Sequence, residues 1–283
     1  MEPVADPDPG ATTAIRSRGL GVRRGRDLVL RDVDLEVPAA TVTAVIGPNG
    51  AGKSTLLDAL AGLLSPATGR LEVLGRDPIA RPRPRPPAVA YVLQSAEVDV
   101  DLPLTVGEVV TMARYAIRGV LGRLRAPDRA AVADALDRLA VADLADRSLS
   151  ELSEGQRRRV YVAQGLAQQA PVLLLDEPLT GLDLVSRDLI ADAIAAERSA
   201  GRTVVVTTHD LGDARRADHV VLLAGRVVAQ GPPARVLQAG PLSEAYRGRV
   251  VRVDAETLLL DDAGHDHDHD AAPPGPGTGT GGR

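Results

Sequence analysis

Short apolar runs recur along the chain and predict a sheet of buried strands. Several contain no charged position, which is typical of parallel strands that are covered on both faces. The runs are VTAVI (42–46), RLEVL (70–74), VAYVL (89–93), VLLLD (172–176), TVVVT (203–207) and VVLL (220–223).

Helical repeats lie between these runs. One helix is expected to begin at Lys53, a second at 127–128, and a third to run from Ser186, as its N-cap, to a stop at Gly201. The leucines that share one face of the first helix are Leu56, Leu57, Leu60, Leu63 and Leu64. Strands that alternate with helices predict an α/β fold with right-handed crossovers and a mainly parallel sheet.

Shifts in composition predict the domain organisation. We expect a disordered leader at 1–13, one globular domain at 14–240, a C-terminal extension at 241–261 and a disordered tail at 262–283. The stretch from about 95 to 165 is mostly helical and lies between two core strands, so it is expected to be an inserted helical subdomain.

Composition narrows the possible functions. The chain has 283 residues, of which 44% are hydrophobic and 1% aromatic, so Leu, Val, Ile and Ala must build the core. A formal net charge of −5 gives no electrostatic reason to expect nucleic-acid binding. The chain has no cysteine, and no apolar run approaches the roughly 20 residues that span a bilayer. We therefore expect a cytoplasmic protein.

The segment GPNGAGKST (47–55) fits the phosphate-binding pattern G-x4-G-K-[ST]. It follows a predicted strand and opens a predicted helix, which is the context that the pattern requires. Its glycines let backbone N–H groups face phosphate oxygens, and the helix adds its positive end. The residues expected to contact ATP are Gly47, Pro48, Asn49, Gly50, Ala51, Gly52, Lys53, Ser54 and Thr55.

Lys53 is the only lysine among the 33 lysine and arginine residues of the chain. A compact ammonium group on a thin stem fits inside a closed loop, whereas a broad, planar guanidinium does not. We therefore expect Lys53 to reach the β- and γ-phosphates of ATP, and Ser54 to ligate Mg²⁺.

A second apolar run ends in two carboxylates, Asp176 and Glu177. Asp176 is expected to hold Mg²⁺ through water, and Glu177 to orient and deprotonate the attacking water. Adjacent residues at a strand end point to different sides, so the two acids can take different roles.

Four further segments resemble motifs of the ABC-transporter ATPase family, and they occur along the chain in the order that the family has. LSEGQ (152–156) is similar to the family's signature sequence, whose usual form is L-S-G-G-Q. TGLD (180–183) matches the loop after the acidic strand end, and THD (208–210) contains the family's switch histidine. Gln94, after VAYVL, matches the glutamine that links ATP to the membrane subunit.

The resemblance covers about residues 14–240. It implies a P-loop NTPase with a RecA-like, mainly parallel sheet core, an antiparallel β subdomain and an inserted helical subdomain. It also implies ATP hydrolysis with Mg²⁺ as cofactor, and Lys53, Glu177 and His209 as the catalytic residues.

The resemblance further implies that ATP is sandwiched between two copies of the chain. Ser153 and Gly155 of one copy would contact the γ-phosphate of ATP held by the other. Further nucleotide contacts are implied for Gln156 and Asp183, and a Mg²⁺ contact for Gln94.

Two positions depart from the family pattern. No aromatic residue precedes the phosphate loop to stack on adenine, and Arg24 occupies that position. We hypothesise that the Arg24 guanidinium stacks instead, since base–aromatic stacking is worth about 1–3 kcal/mol and planar arginines also pack on π faces; the alternative is a solvated arginine. Glu154 replaces the third residue of L-S-G-G-Q, where its negative charge either slows hydrolysis or has little effect.

The stretch 91–115 resembles the zinc/manganese importer branch of the family. Its V-D-x-D segment after Gln94 and its MARY (112–115) are similar to that branch. This favours the ATPase subunit of a divalent-metal importer on the inner face of the cell membrane. Its partners would be an integral membrane permease and, indirectly, a metal-capture protein. The alternatives are an importer for an iron chelate or haem, and a non-transport ABC ATPase or regulatory nucleotide-binding protein.

The tail contains HDHDHD (265–270), in which His265, His267 and His269 alternate with aspartates. Imidazole and carboxylate groups together suit Zn²⁺. We hypothesise a metal-buffering or metal-sensing tail; the alternative is an acidic, solvated tail.

Overall fold

A computed structural model describes residues 13–80, 87–94, 104–119, 122–246, 250–252 and 258–260. No helix within these ranges combines the length and apolarity that a membrane span requires. The predicted leader, apart from its last residue, and the whole predicted tail lie outside the described residues. The metal-binding hypothesis for His265, His267 and His269 therefore concerns residues that the structure does not describe.

Strands and helices alternate through the described part of the chain. The strands are β1 (Thr13–Arg24), β2 (Asp27–Pro38), β3 (Val42–Ile46), β4 (Pro66–Val73), β5 (Val89–Val92), β6 (Val172–Leu175), β7 (Thr203–Thr207), β8 (His219–Leu223), β9 (Val227–Gly231), β10 (Val250–Arg252) and β11 (Leu258–Leu260). The helices are α1 (Lys53–Leu60), α2 (Val106–Arg118), α3 (Ala126–Arg138), α4 (Glu154–Ala167), α5 (Leu184–Ser199), α6 (Leu211–Arg216), α7 (Pro233–Val236) and α8 (Ala239–Ala245).

The main sheet has the strand order β5-β6-β7-β3-β8-β9. All neighbours are parallel except β9, which pairs antiparallel with β8 at one edge. β3, β6, β7 and β8 consist almost wholly of buried residues, as parallel strands covered on both faces must. The predicted mainly parallel core is confirmed.

A second, antiparallel sheet has the order β2-β1-β4. It encloses α1 against one face of the main sheet, in a core that includes Leu20, Leu30, Leu57, Leu174 and Val221. The run at 70–74 is grouped with the buried core strands in the sequence analysis. In the structure it lies in this second sheet instead, as part of β4. Leu71 and Val73 are buried and Glu72 is exposed, which is the alternation of a strand covered on one face.

The remaining helices cover the opposite face of the main sheet. α2, α3, α4 and α5 pack over β5, β6 and β7, whereas α6, α7 and α8 pack over β3 and β8. α2 and α3 lie in sequence between β5 and β6, which are hydrogen-bonded neighbours. The helices are therefore an insertion in the sequence between two strands that remain paired. The expected fold class, with its antiparallel sheet and helical insertion, is confirmed.

The first helix is shorter than its leucine pattern predicts. α1 ends at Leu60, and Gly62 follows in a left-handed conformation with φ 70°. A Cβ at Gly62 would lie 2.4 Å from the carbonyl oxygen of Pro78, so the chain turns where only glycine fits. Leu63 is 58% exposed, and its predicted place on the buried face is wrong.

The start of α5 also differs from the prediction. Asp183, not Ser186, is the N-cap, and its carboxylate accepts hydrogen bonds from the Ser186 N–H (2.8 Å) and hydroxyl (2.9 Å). An aspartate placed three residues before a free helix N–H is a strong cap, so the helix begins earlier. The predicted stop is confirmed, because Gly201 follows the helix with φ 79°.

Candidate functional site

The candidate residues converge on one edge of the main sheet. β5, β6, β7 and β3 are consecutive and parallel, so their carboxyl ends lie side by side. These four ends lead into Gln94, the pair Asp176 and Glu177, His209, and the loop 47–52. In open α/β sheets this edge is where ligands bind.

The loop 47–52 joins β3 to α1 through a bend that needs glycine. Gly50 and Gly52 have φ values of 76° and 94°. A Cβ at Gly47 would lie 2.0 Å from the carbonyl oxygen of Leu223, and one at Gly52 would lie 2.6 Å from Cδ2 of Leu30. A glycine-rich backbone bend that leads into a helix N-terminus is suited to hold phosphate.

Lys53 is the first residue of α1, and its side chain turns back into this bend. It is 7% exposed, and its Nζ donates hydrogen bonds to the carbonyl oxygens of Gly47 (2.9 Å) and Pro48 (3.3 Å). Ser54 and Thr55 follow in the same helical turn, half-buried and buried respectively. The bend therefore contains one compact cation, a helix N-terminus and a hydroxyl group that follows it.

The two acids after β6 are held by a residue of the neighbouring strand. Thr207, the last residue of β7, is fully buried; its hydroxyl accepts from the Glu177 N–H at 2.8 Å and donates to Oδ1 of Asp176. Glu177 has a left-handed backbone with φ 47°. A non-glycine residue in this conformation costs free energy, of order 1–3 kcal/mol where it is strained, and such residues cluster at functional sites.

His209 and Gln94 flank the acids. Nδ1 of His209 lies 3.9 Å from Oε2 of Glu177; the His209 side chain is 48% exposed and that of Glu177 17%. Glu177 is thus enclosed, with the imidazole on its solvent side. Gln94 is half-buried and follows β5, the strand next to β6.

The segment 152–156 forms the start of α4. Ser153 caps the helix: its hydroxyl accepts from the Gln156 N–H (3.3 Å), and the Gln156 side chain accepts from the Ser153 N–H (3.0 Å). This reciprocal pair is a capping box. Both side chains therefore hold the helix terminus in place.

Gly155 brings the N-termini of α4 and α5 together. A Cβ at Gly155 would lie 3.0 Å from Oδ2 of Asp183 and 3.1 Å from the Ser186 hydroxyl. Hydrogen bonds from the Ser186 N–H and hydroxyl lower the pKa of Asp183, so its carboxylate stays charged. A side chain at position 155 would force these two helix ends apart.

Arg24 lies at the end of β1, beside α1. Its Nη2 is 3.4 Å from Oδ2 of Asp58, and the arginine side chain is 58% exposed. The Tyr91 hydroxyl donates to the other oxygen of Asp58 at 3.2 Å. The guanidinium is therefore placed by an ion pair while most of its surface stays accessible.

The structure adds two residues that sequence motifs do not identify. Thr207 ends a predicted strand but touches the acids only because β7 and β6 are neighbours. Arg158 lies in α4, and its Nη1 contacts the carbonyl oxygen of Asp176 at 3.5 Å. Neither contact can be predicted from local sequence, because each joins residues of two different elements and depends on how those elements pack.

The donor groups at this edge fit Mg²⁺ only together with a phosphate. In the ranges that the structure describes, no three or more His, Asp or Glu side chains are grouped as a metal site. Ser54 and Asp176 supply a hydroxyl and a carboxylate. Mg²⁺ is typically bound by one or two carboxylates together with substrate phosphates and water, so these residues fit an ion that arrives with a nucleotide.

Comparison with known proteins agrees with this geometry. A model of the ABC transporter family matches residues 30–180. The chain is 40% identical over 223 residues to the zinc transport system ATP-binding protein TroB of Treponema pallidum, covering 78% of this chain and 82% of that protein. It is 44% identical over 230 residues to the hemin import ATP-binding protein HmuV of Streptomyces coelicolor, covering 81% of each. Among solved structures it is similar to a metal-chelate type ABC transporter in an inward-facing conformation, with a TM-score of 0.71, 27% identity, and 83% and 89% of the two chains covered.

Proposed function

This chain belongs to the ABC transporter family, as an ATP-binding and ATP-hydrolysing subunit, and we propose from that premise that it powers the import of a divalent metal ion, zinc or manganese. The observation that carries the ATP-hydrolysing role is the alignment of four parallel strand ends. The phosphate loop, His209, the two acids and Gln94 follow β3, β7, β6 and β5 in spatial order.

ATP binds with its phosphates in the bend 47–52. The backbone N–H groups and the α1 N-terminus attract the phosphate oxygens. Lys53 already lies inside the bend, and its ammonium group neutralises the β- and γ-phosphates. Arg24 lies beside α1 with most of its guanidinium accessible and stacks on the adenine ring.

Ser54, Asp176 and Gln94 would hold the Mg²⁺ ion that accompanies ATP. When bound, the ion neutralises charge that develops on the transferred phosphoryl group. Thr207 fixes the Asp176 carboxylate through its hydroxyl, so the carboxylate is oriented before the ion binds.

Glu177 orients and deprotonates the attacking water. Its enclosed side chain suits a general base. The His209 imidazole lies 3.9 Å from this carboxylate, beyond hydrogen-bond distance, and holds the γ-phosphate in place when ATP is bound.

Two copies of the chain enclose ATP. Ser153, Gly155 and Gln156, at the exposed N-terminus of α4, contact the nucleotide that the second copy holds, and Asp183 contributes from the adjoining N-terminus of α5. ATP binding closes the pair, and hydrolysis opens it. The stretch around Gln94 passes this motion to an integral membrane permease at the inner face of the membrane, which receives metal from a capture protein.

Two candidate cargoes remain in competition. The zinc-transporting relative and the resemblance of 91–115 to the zinc/manganese branch support a divalent ion. Haem import is the second candidate, because the haem-importing relative has the higher identity of the two, 44%.

The test is uptake of labelled zinc, manganese and haem by cells that encode this chain, after its deletion. We expect zinc or manganese uptake to be lost, and to be restored by the wild-type chain but not by Glu177→Gln. Loss of haem uptake alone would replace the metal-ion proposal with the haem one. Unchanged uptake of all three would contradict both.

A further inference from the structure

Arg158 is a buried cation that the mechanism above does not use. It lies in α4, one helical turn after Glu154, and is 4% exposed. Its Nη1 donates a long hydrogen bond, 3.5 Å, to the carbonyl oxygen of Asp176, and its Nε has no hydrogen-bond partner among the described residues. Burying a charged group with an unsatisfied N–H opposes folding. Stability is therefore a poor reason for an arginine at this position.

The contact of Arg158 falls on one particular peptide unit. The carbonyl of Asp176 and the N–H of Glu177 belong to the same planar peptide bond. Arg158 contacts the oxygen of this peptide, and Thr207 accepts from its nitrogen at 2.8 Å. A peptide plane held at both ends fixes the direction of the N–Cα bond of Glu177, and therefore the position from which its side chain starts. Glu177 itself has a left-handed backbone, with φ 47°.

The charge of Arg158 also acts on the surrounding acids. No carboxylate in the described ranges lies within 4.0 Å of it, so it forms no ion pair there. Burial lowers the pKa of its guanidinium, and the charges of Glu154, Glu177 and Asp176 oppose that effect. An arginine keeps its charge inside proteins. The cation therefore attracts both the first residue of α4 and the acidic strand end.

We infer that Arg158 is a positioning residue that couples the segment 152–156 to hydrolysis at Glu177 of the same chain. The inference rests on the proposed function, in which Ser153 and Gly155 contact ATP held by a second copy. Movement of the α4 N-terminus onto that ATP moves Arg158, and with it the peptide between Asp176 and Glu177. One copy thus senses the nucleotide of the other before its own base is aligned.

Arg159 provides a matched control. It is the next residue of the same helix, its Nη1 donates to the carbonyl oxygens of Leu139 and Ala140 at 2.8 Å each, and its Nε is also buried without a partner. It contacts the end of α3 instead of the acids. A loss of helix packing should appear in variants of either arginine, whereas a loss of positioning should appear only at Arg158.

The experiment compares Arg158→Met, Arg158→Lys and Arg159→Met with the wild-type chain. It measures kcat, KM, the Kd for ATP, the steepness of the ATP dependence and the Tm. We expect Arg158→Met to keep its fold and its ATP affinity, because an apolar side chain of similar length replaces an unpaired buried charge. Its kcat should fall about 10- to 100-fold, as for a small displacement of a catalytic group, and its ATP dependence should lose its cooperativity.

Arg158→Lys, which keeps the charge, should recover part of the lost kcat, and Arg159→Met should keep the kcat of the wild type. An Arg158→Met protein with wild-type kcat and cooperativity would overturn the inference, as would one that fails to fold or an equal loss in Arg159→Met. If the wild-type chain itself did not hydrolyse ATP, the proposed function would fail, and the inference about Arg158, which rests on it, would fail as well.

Discussion

At the scale of single residues, the peptide between Asp176 and Glu177 governs the site. Thr207 is fully buried, accepts from the Glu177 N–H and donates to the Asp176 carboxylate. One hydroxyl group therefore orients both the proposed base and the proposed metal ligand. Its place at the end of β7 follows from the pairing of Leu175 with Val206 in the adjacent strands.

We predict that Thr207→Val lowers kcat while leaving ATP affinity nearly unchanged. Valine has the same shape but no hydroxyl, so the buried Glu177 N–H loses its acceptor. Unfolding free energy should fall by about 1–3 kcal/mol, and kcat by about tenfold or more because the base is displaced. Thr207→Ser, which restores the hydroxyl, serves as the control. Equal kcat for the valine and serine variants would refute the role of Thr207.

Site residues that belong to local sequence motifs can be predicted from the sequence. Lys53 follows a glycine-rich bend, and Asp176 and Glu177 follow an apolar strand, so their types and neighbours suffice to nominate them. The roles of Thr207 and Arg158 cannot be predicted this way. Their contacts depend on the packing of α4 and β7 against the end of β6, between residues 18 and 31 positions apart, which no local pattern specifies.

At the scale of elements, a buried ion cluster fastens the helical insertion. Asp128, near the start of α3, is fully buried and accepts from Arg114 (2.8 Å) and Arg118 (2.9 Å) of α2. Arg114 also donates to the carbonyl oxygen of Ala167, at the end of α4 (2.8 Å). Asp128 and Arg114 together thus join three helices. The backbone N–H of Arg125, followed by the Arg118 guanidinium, lowers the pKa of Asp128 well below its usual range.

This shift predicts a pH-dependent contribution to stability. Because the folded pKa lies below the unfolded value of about 3.9, Asp128 stabilises the fold fully above that value. The contribution is lost as pH falls from there through the folded pKa. Chemical unfolding of the wild type and Asp128→Asn at several pH values should show a large difference at pH 7 that shrinks below about pH 4. A difference independent of pH would contradict it.

Element boundaries were predicted less well than element types. The run of leucines after Lys53 correctly indicates a helix, but Gly62, which follows the C-cap Ala61 in a left-handed conformation, stops it at Leu60. A hydrophobic period alone does not show this stop, since the signal is the glycine and not the leucines. The apolar runs for β3, β6 and β7 were more reliable, since strands buried on both faces leave little room for polar residues.

At the scale of the whole molecule, the surface near Asp183 is unusually apolar. Leu184 and Val185, the first residues of α5, are 78% and 68% exposed. They adjoin the N-terminus of α4, where the second copy is proposed to bind. Exposed apolar residues beside a functional site are typical of an interface, and they fit one that closes only with ATP.

We predict that Leu184→Asp weakens ATP-dependent dimer formation about tenfold or more, since it places a charge in the proposed interface. The fold should persist, because an acid at the first position of a helix is favourable. Leu63→Asp is the control: Leu63 is 58% exposed but follows the far end of α1. Sedimentation with ATP would measure both, and equal dimer formation by the two variants would rule out this face.

The most direct test of the account is the rate of ATP hydrolysis by Glu177→Gln, with ATP affinity measured on the same protein. Glutamine keeps the size and the backbone of Glu177 but cannot accept a proton. We expect the variant to bind ATP with near-native affinity and to form the dimer, while its turnover falls by a factor of about 10² or more. Turnover at the wild-type rate would contradict the assignment of Glu177 as the base, and with it the proposed mechanism of the subunit.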